Sequence, residues 1–410
     1  MSFVPNKKKI INDPVFGFIS IPNDFLYDLL QHPYVQRLNR IRQLGLSFFV
    51  YPGAMHSRFL HSLGAMHLMQ EAIACLRQKG IEISHSEGNA ACAAILLHDI
   101  GHGPFSHVLE HTLVSGISHE EISLMMMEHI NREMDGALAE AICIFKNEYP
   151  RHFLHQMISS QLDVDRLDYL CRDSFFCGVN EGTVASARIL KMLQVENDKL
   201  VVEAKGIYSI EKFLVARRLM YWQVYLHKTS VAAEQLLIKI LSRAKHLCAA
   251  GHELFATPAL RYFLYQNITA GEFAKDEEAL AYYAQLDDND ILSSVKVWAA
   301  SDDKVLSVLC RAFVNRQLFK AKVLDGPLQD DDLLRLKQQY MGYFDIAEDE
   351  AACFFAEHSV STDTYSAKDD SIDILFKSGE TKDIALASDM LNVQVLTKRV
   401  QKHYLFYYKI

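Results

Sequence analysis

Between residues 58 and 78 the apolar positions fall into two stripes at helical spacing. Phe59, Leu63, Met66, Ile73 and Leu76 form one, and Leu60, Ala65, Leu68 and Ala72 the other. A helix apolar on two sides is buried, and Gly80 stands where such a helix ends. His61 shares a face with Gly64, Ala65 and Leu68, whose small members allow something to approach closely. NAACAAILLHDIG predicts a second buried helix that carries His98-Asp99 at its end. Gly101, Gly103 and Pro104 break it, and FSHVLEHTL starts anew. A third helix is predicted over MISSQLDVDRLDYLCRDSFFCG. There Ile158, Leu162, Asp165 and Tyr169 follow at spacings of four, three and four, which sets Asp165 with the apolar side.

Around these three, IINDPVFGFISIP predicts a β-hairpin turning at Phe16-Gly17. Pro33 opens a helix over HPYVQRLNRIRQLG that Gly45 closes. SIEKFLVARRLMYWQVYLHKTSVAAEQLLIKIL reads as one long apolar helix. Beyond about residue 260 the pattern weakens into shorter helices. STDTYSAKDDSIDILFKSGETKDI then alternates and turns at Ser378-Gly379, predicting strands, and VQVLTKRVQKHYLFYYKI reads as helix then strand. The expected fold is mainly α: a helical bundle with a short N-terminal β-hairpin over residues 1–260, and a smaller C-terminal α+β part over 261–410 serving regulation or assembly.

Composition narrows the class. At 410 residues the chain has ample apolar content for real cores. A net charge of −9 argues against nucleic acid as a partner, which needs a basic footprint. The acid concentrates between Asp276 and Asp373, while Lys398, Arg399, Lys402 and Lys409 make the closing stretch basic; both read as solvated surface. The eight cysteines form no CxxC pair and read as reduced thiols of a cytoplasmic protein. No apolar run approaches the ~20 residues of a membrane span, and MSFVPNKKKIINDP lacks an apolar signal core, so no membrane partner is expected.

His61, His98, Asp99 and Asp165 thus sit on three apolar helices. Burying an unpaired carboxylate costs several kcal/mol unless a cation or donors satisfy it. Two histidines and two aspartates converging from three helices suggest a divalent metal inside the bundle. An HD dipeptide alone is weak, since a lone buried histidine is more often a hydrogen-bonded core residue. HDIGHGPFSH adds context, because its Gly-Gly-Pro break frees backbone N–H groups and opens space for an anion beside the metal. Spacing and burial alone go no further than a cation in a helical bundle.

The ordered set RFLHS, LLHDIGHGPFSH, SHEE, LDVDRLDYLCRD and YWQVYLHK, spanning Lys9 to Leu237, resembles the HD-superfamily deoxynucleoside triphosphate triphosphohydrolases. These include bacterial dNTPases and the catalytic domain of a human sterile-alpha-motif member. The resemblance implies that His61, His98, Asp99 and Asp165 are metal ligands. Their donor set suits Fe, Mn, Zn or Mg, and a second Mg ion accompanies the substrate. Such a metal lowers the pKa of a bound water. The implied reaction is water attack on the α-phosphorus, releasing deoxynucleoside and triphosphate. His107 would then be the general acid, oriented by Glu110 where the family often has Asp.

In the same resemblance His102 and His119 contact the phosphates, and Arg58, Arg166 and Arg217 match cationic positions on the triphosphate. Arg166 replaces a lysine of the human member. Gln43 matches a reader of the sugar 3′-hydroxyl, with Tyr169 and Asp173 beside it. Tyr169 would press on C2′ and disfavour a ribose. Tyr225 and His227 match residues near the base. Read without the resemblance, Arg217 and Asp173 are ion-pair partners and His227 a capped core residue. Lys9, Asn12 and Gln36 match a nucleotide-effector site, but Gln31 and Asn39 replace its guanine-reading Asp and Arg. A homo-oligomer, dimer or tetramer, is implied. The alternatives are an HD hydrolase of another nucleotide, a monophosphate or signalling nucleotide, and a non-catalytic nucleotide-sensing module.

Overall fold

Helix Arg58–Gln78 is the axis of the molecule, with His85–Leu97 packed on one side and Val164–Cys177 on another. Its first half is buried nearly all round, as the two apolar stripes require, while Glu71, Ala74, Arg77 and Gln78 leave its second half exposed on one side. The structure, a computed structural model, describes residues 9–105, 108–109, 112–114, 116–273, 277–362, 365, 371–389 and 400–410. Among them no helix is long and apolar enough to cross a membrane.

The N-terminal hairpin pairs β1 (Lys9–Asp13) with β2 (Gly17–Ile21). Asp13 Oδ1 accepts from the amides of Val15 and Phe16 at 2.9 and 2.8 Å, and Gly17 takes a φ of 77° to complete the turn. After helix Asp24–Gln31, the helix expected to run from Pro33 to Gly45 stops at Gln36 and gives way to a 3₁₀ turn, Arg37–Arg40. Arg37 explains the stop. Its buried guanidinium reaches the carbonyls of Ile100 and His102 at 2.8 and 2.9 Å, a tertiary demand that outweighs local propensity.

Two further boundaries differ from the sequence pattern. The third site helix begins at Val164, because Asp163 caps it by accepting from the Arg166 amide at 2.7 Å; Ile158 and Leu162 are buried in the turn before it. The long apolar helix is two, Ile207–Met220 and Lys228–Ala249, joined by a π turn at Tyr221–Tyr225. His227 caps the second, its Nδ1 accepting from Thr229 N at 3.2 Å. Between the site helices and this pair lies a hairpin the helical pattern concealed, β3 (Leu193–Glu196) with β4 (Lys199–Glu203). It turns at Asn197 and Asp198, both at positive φ.

The C-terminal part supplies β5 (Lys320–Leu324), β6 (Phe355–Thr362), β7 (Asp373–Leu375), β8 (Thr381–Asp383) and β9 (Val400–Tyr407). The expected strands around Ser378-Gly379 are β7 and β8. The sheet orders are β3-β4-β7-β8 and β5-β9-β6, with β7 lying parallel to β4. Helix Asp288–Trp298 reaches the N-terminal part as well, where Asp288 accepts from Arg42 Nη1 at 3.0 Å.

Candidate active site

The three site helices bring the expected metal ligands together. Asp165 Oδ1 lies 3.0 Å from His61 Nε2 and 3.4 Å from His98 Nε2, and Asp99 Oδ1 lies 3.3 Å from His98 Nε2. Each imidazole is oriented from behind. His61 Nδ1 donates to Asp168 Oδ2 at 2.7 Å, and His98 Nδ1 donates to the Ile95 carbonyl at 2.6 Å. That aims both Nε2 atoms at the two carboxylates. Both Nε2 atoms are buried and have no hydrogen-bond partner, despite the carboxylates nearby. Buried polar atoms so placed need a partner. Two imidazole nitrogens and two carboxylates, each imidazole anchored at its far nitrogen, fit a divalent cation.

Burial opposes a charge on His61, but the Asp165 and Asp168 carboxylates outweigh it and raise its pKa to about 10. A cation must therefore displace a proton there. Metal affinity is expected to strengthen with rising pH, by up to about tenfold per unit below the His61 pKa for one proton released. Competition against a chelator at several pH values checks this, and a pH-independent affinity would contradict it. Burial likewise opposes ionisation of Asp99, yet His98, His102 and Arg58 hold its carboxyl well below the usual range. Arg58 Nη1 reaches Asp99 Oδ2 at 2.7 Å.

A second layer of charge, which the sequence pattern did not reveal, supports His61. Asp168 pairs with Arg172, whose Nε and Nη2 lie 3.0 and 2.9 Å from its oxygens, and Arg172 Nη1 reaches Asp13 Oδ2 at 2.7 Å. The three side chains are fully buried. What approaches the small-residue face of His61 is this pair: a β-carbon at Gly64 would overlap Asp168 Oδ1 and Arg172 Nη2. The glycines after Asp99 serve packing too. A β-carbon at Gly101 would meet the backbone of His119 and Ser123, and the Gly101 amide donates to Ser123 Oγ at 2.9 Å.

A cavity of about 730 Å³ opens over the ligands. Asp99, Asp165, Arg58, Arg166, His102, His119, Gln43, Tyr169, Asp173 and Tyr225 all line it. His102 stacks on His119 with ring centroids 3.8 Å apart, and burial beside Arg58 lowers the His102 pKa to about 3, so it stays neutral. Arg166 pairs with Asp163. Asp173 accepts from Tyr225 Oη at 2.9 Å and lies 2.7 Å from His56 Nε2. Tyr169 packs edge-on against Tyr225 with centroids 5.9 Å apart, and burial raises its pKa and keeps it a phenol. Arg217 and His227 are not on this wall: Arg217 donates to Gln161 at 2.9 Å, and His227 is the helix cap that packs on Tyr51. His107 and Glu110 lie outside the described residues. Residues that sequence reasoning missed also line it, among them Arg42, Tyr221, Glu234, Gln235, His358 and Val360.

A helical bundle that converges two histidines and two aspartates beneath an arginine-lined cavity defines a metal-dependent phosphohydrolase. Comparison with known proteins agrees. Residues 58–173 match the HD domain family and residues 184–254 the HD associated region. The chain is 34% identical over 322 residues to the uncharacterized protein YwfO of Bacillus subtilis, covering 77% of this chain and 72% of that one. It is 28% identical over 279 residues to the human deoxynucleoside triphosphate triphosphohydrolase SAMHD1, covering 58% of this chain and 44% of that one. A crystal structure of a phosphohydrolase from Bacteroides thetaiotaomicron superposes with a TM-score of 0.96 at 58% identity, covering 98% of this chain and all of the other. The chain belongs to the HD superfamily and is similar to its deoxynucleoside triphosphate triphosphohydrolases.

Proposed function

We propose that this protein hydrolyses dNTPs to deoxynucleoside and inorganic triphosphate. The observation that carries the reading is one continuous cavity that offers carboxylates of the ligand cluster, arginines, and a glutamine–tyrosine–aspartate group. A divalent cation, when bound by His61, His98, Asp99 and Asp165, supplies Lewis acidity toward water and phosphoryl oxygen. Arg58 and Arg166 orient the triphosphate, and neutral His102, stacked on His119, is a hydrogen-bonding partner for it rather than another charge. The oxygen of water bonds to the α-phosphorus as the bond from that phosphorus to the sugar 5′-oxygen breaks. The leaving oxygen takes a proton, from His107 by family resemblance. Gln43 Oε1, buried without a hydrogen-bond partner, is an acceptor for the sugar 3′-hydroxyl. Tyr169, wedged against Tyr225, closes on C2′. Nucleotide activation and a homo-oligomeric assembly belong to the same reading.

The test is incubation of metal-loaded protein with each of the four dNTPs and GTP, under Mg, Mn and Fe, singly and as mixtures. Turnover of at least one dNTP is expected, faster than of its ribonucleotide. No turnover of any dNTP would overturn the proposal, and equal rates for ribose and deoxyribose would remove the role of Tyr169.

A further inference from the structure

The C-terminal part, which carries none of the family motifs, contributes to the wall of the same cavity. Val231, Glu234, Gln235 and Ile238 line it at spacings of three, one and three, a single face of helix Lys228–Ala249. This stripe extends roughly 10 Å along the helix at ~1.5 Å per residue. The cavity it lines also holds Tyr225, matched to the base side, and Asp173, matched to the sugar side. His358 and Val360, two apart on one face of β6, line the cavity with it. The result is a slot with branched apolar side chains (Val231, Ile238, Val360) and polar groups (Glu234, Gln235, His358). Flat faces and a hydrogen-bonding edge are what a nucleobase presents.

Gln235 is the telling residue. It is half-buried on the wall, and its side-chain amide has no hydrogen-bond partner among the described residues. An amide offers both donors and an acceptor, as reading a base edge requires.

We infer that Gln235, with His358 and Val360 of the C-terminal sheet, recognises the nucleobase, so that base selectivity is set partly outside the HD motifs. This rests on the dNTP reading above. The experiment is competition: an equimolar mixture of the four dNTPs is cleaved by wild type, Gln235→Leu, Gln235→Glu and His358→Ala, and the four deoxynucleosides are quantified. A site built to hydrogen-bond its ligand discriminates by what it leaves unpaired. The ratio of the most to the least cleaved nucleotide is therefore expected to shift at least about fivefold in Gln235→Leu and Gln235→Glu, and in the same assay with His358→Ala. Gln235→Glu keeps the side-chain size, so a folding defect in the leucine variant does not decide the outcome. Ratios within twofold of wild type in the glutamate and alanine variants would overturn the role of this wall while leaving the dNTP reading intact. A wild type that cleaves no dNTP would overturn both.

Discussion

Asp165→Ala is expected to lose most of its bound metal and to lower hydrolysis by on the order of a thousandfold or more. Asp165 Oδ1 stands between the two Nε2 atoms, 3.0 Å from His61 and 3.4 Å from His98, so it links ligands from all three site helices. Even partners one layer behind a metal ligand typically cost about 10–100-fold when removed, and a ligand costs more. The fold should survive, because Asp165 sits in the first turn of its helix at the cavity wall, and an alanine there keeps the helix. Metal content by elemental analysis, read beside the rate, separates this account from simple misfolding. A variant that keeps wild-type metal and a rate within tenfold would contradict the ligand assignment.

Arg172→Met is expected to destabilise the folded protein by about 3–5 kcal/mol, because it strands Asp13 and Asp168 as buried carboxylates without their shared cation. The methionine fills much of the same volume, so the loss reports charge rather than a cavity. Arg172 also joins the N-terminal hairpin to the metal site through the chain Asp13, Arg172, Asp168, His61. Denaturant unfolding measures the change. Replacing Asp168 by Asn in the same background should recover part of it, since one stranded charge is then gone. A loss below about 1 kcal/mol would mean the network is no more than a surface ion pair in effect.

How much of this was readable in advance follows from where each residue sits. The four ligands are readable because each lies on or beside a helix whose apolar pattern is strong, and because the motifs around them resemble a known family. Asp168 and Arg172 are not, although their i,i+4 spacing in a helix read as buried was a usable signal. Periodicity reports which face is apolar, not that a carboxylate on it is matched by a guanidinium and by Asp13 some 150 positions away. The helix boundaries missed for a related reason. Asp163 and His227 cap helices inside apolar runs that continue straight through them, and Arg37 leaves its helix to satisfy distant carbonyls. His358 and Val360 carry no motif at all; only the approach of β6 to helix Lys228–Ala249 puts them on the cavity.

Addition of water at the α-phosphorus of a dNTP held over this metal site is the step on which the proposed activity depends. It is tested most directly by single-turnover hydrolysis in ¹⁸O-labelled water, with products resolved by ³¹P NMR and mass spectrometry. One inorganic triphosphate is expected per deoxynucleoside, with the label in the triphosphate. Orthophosphate or pyrophosphate as the first product, or label in the deoxynucleoside, would contradict it.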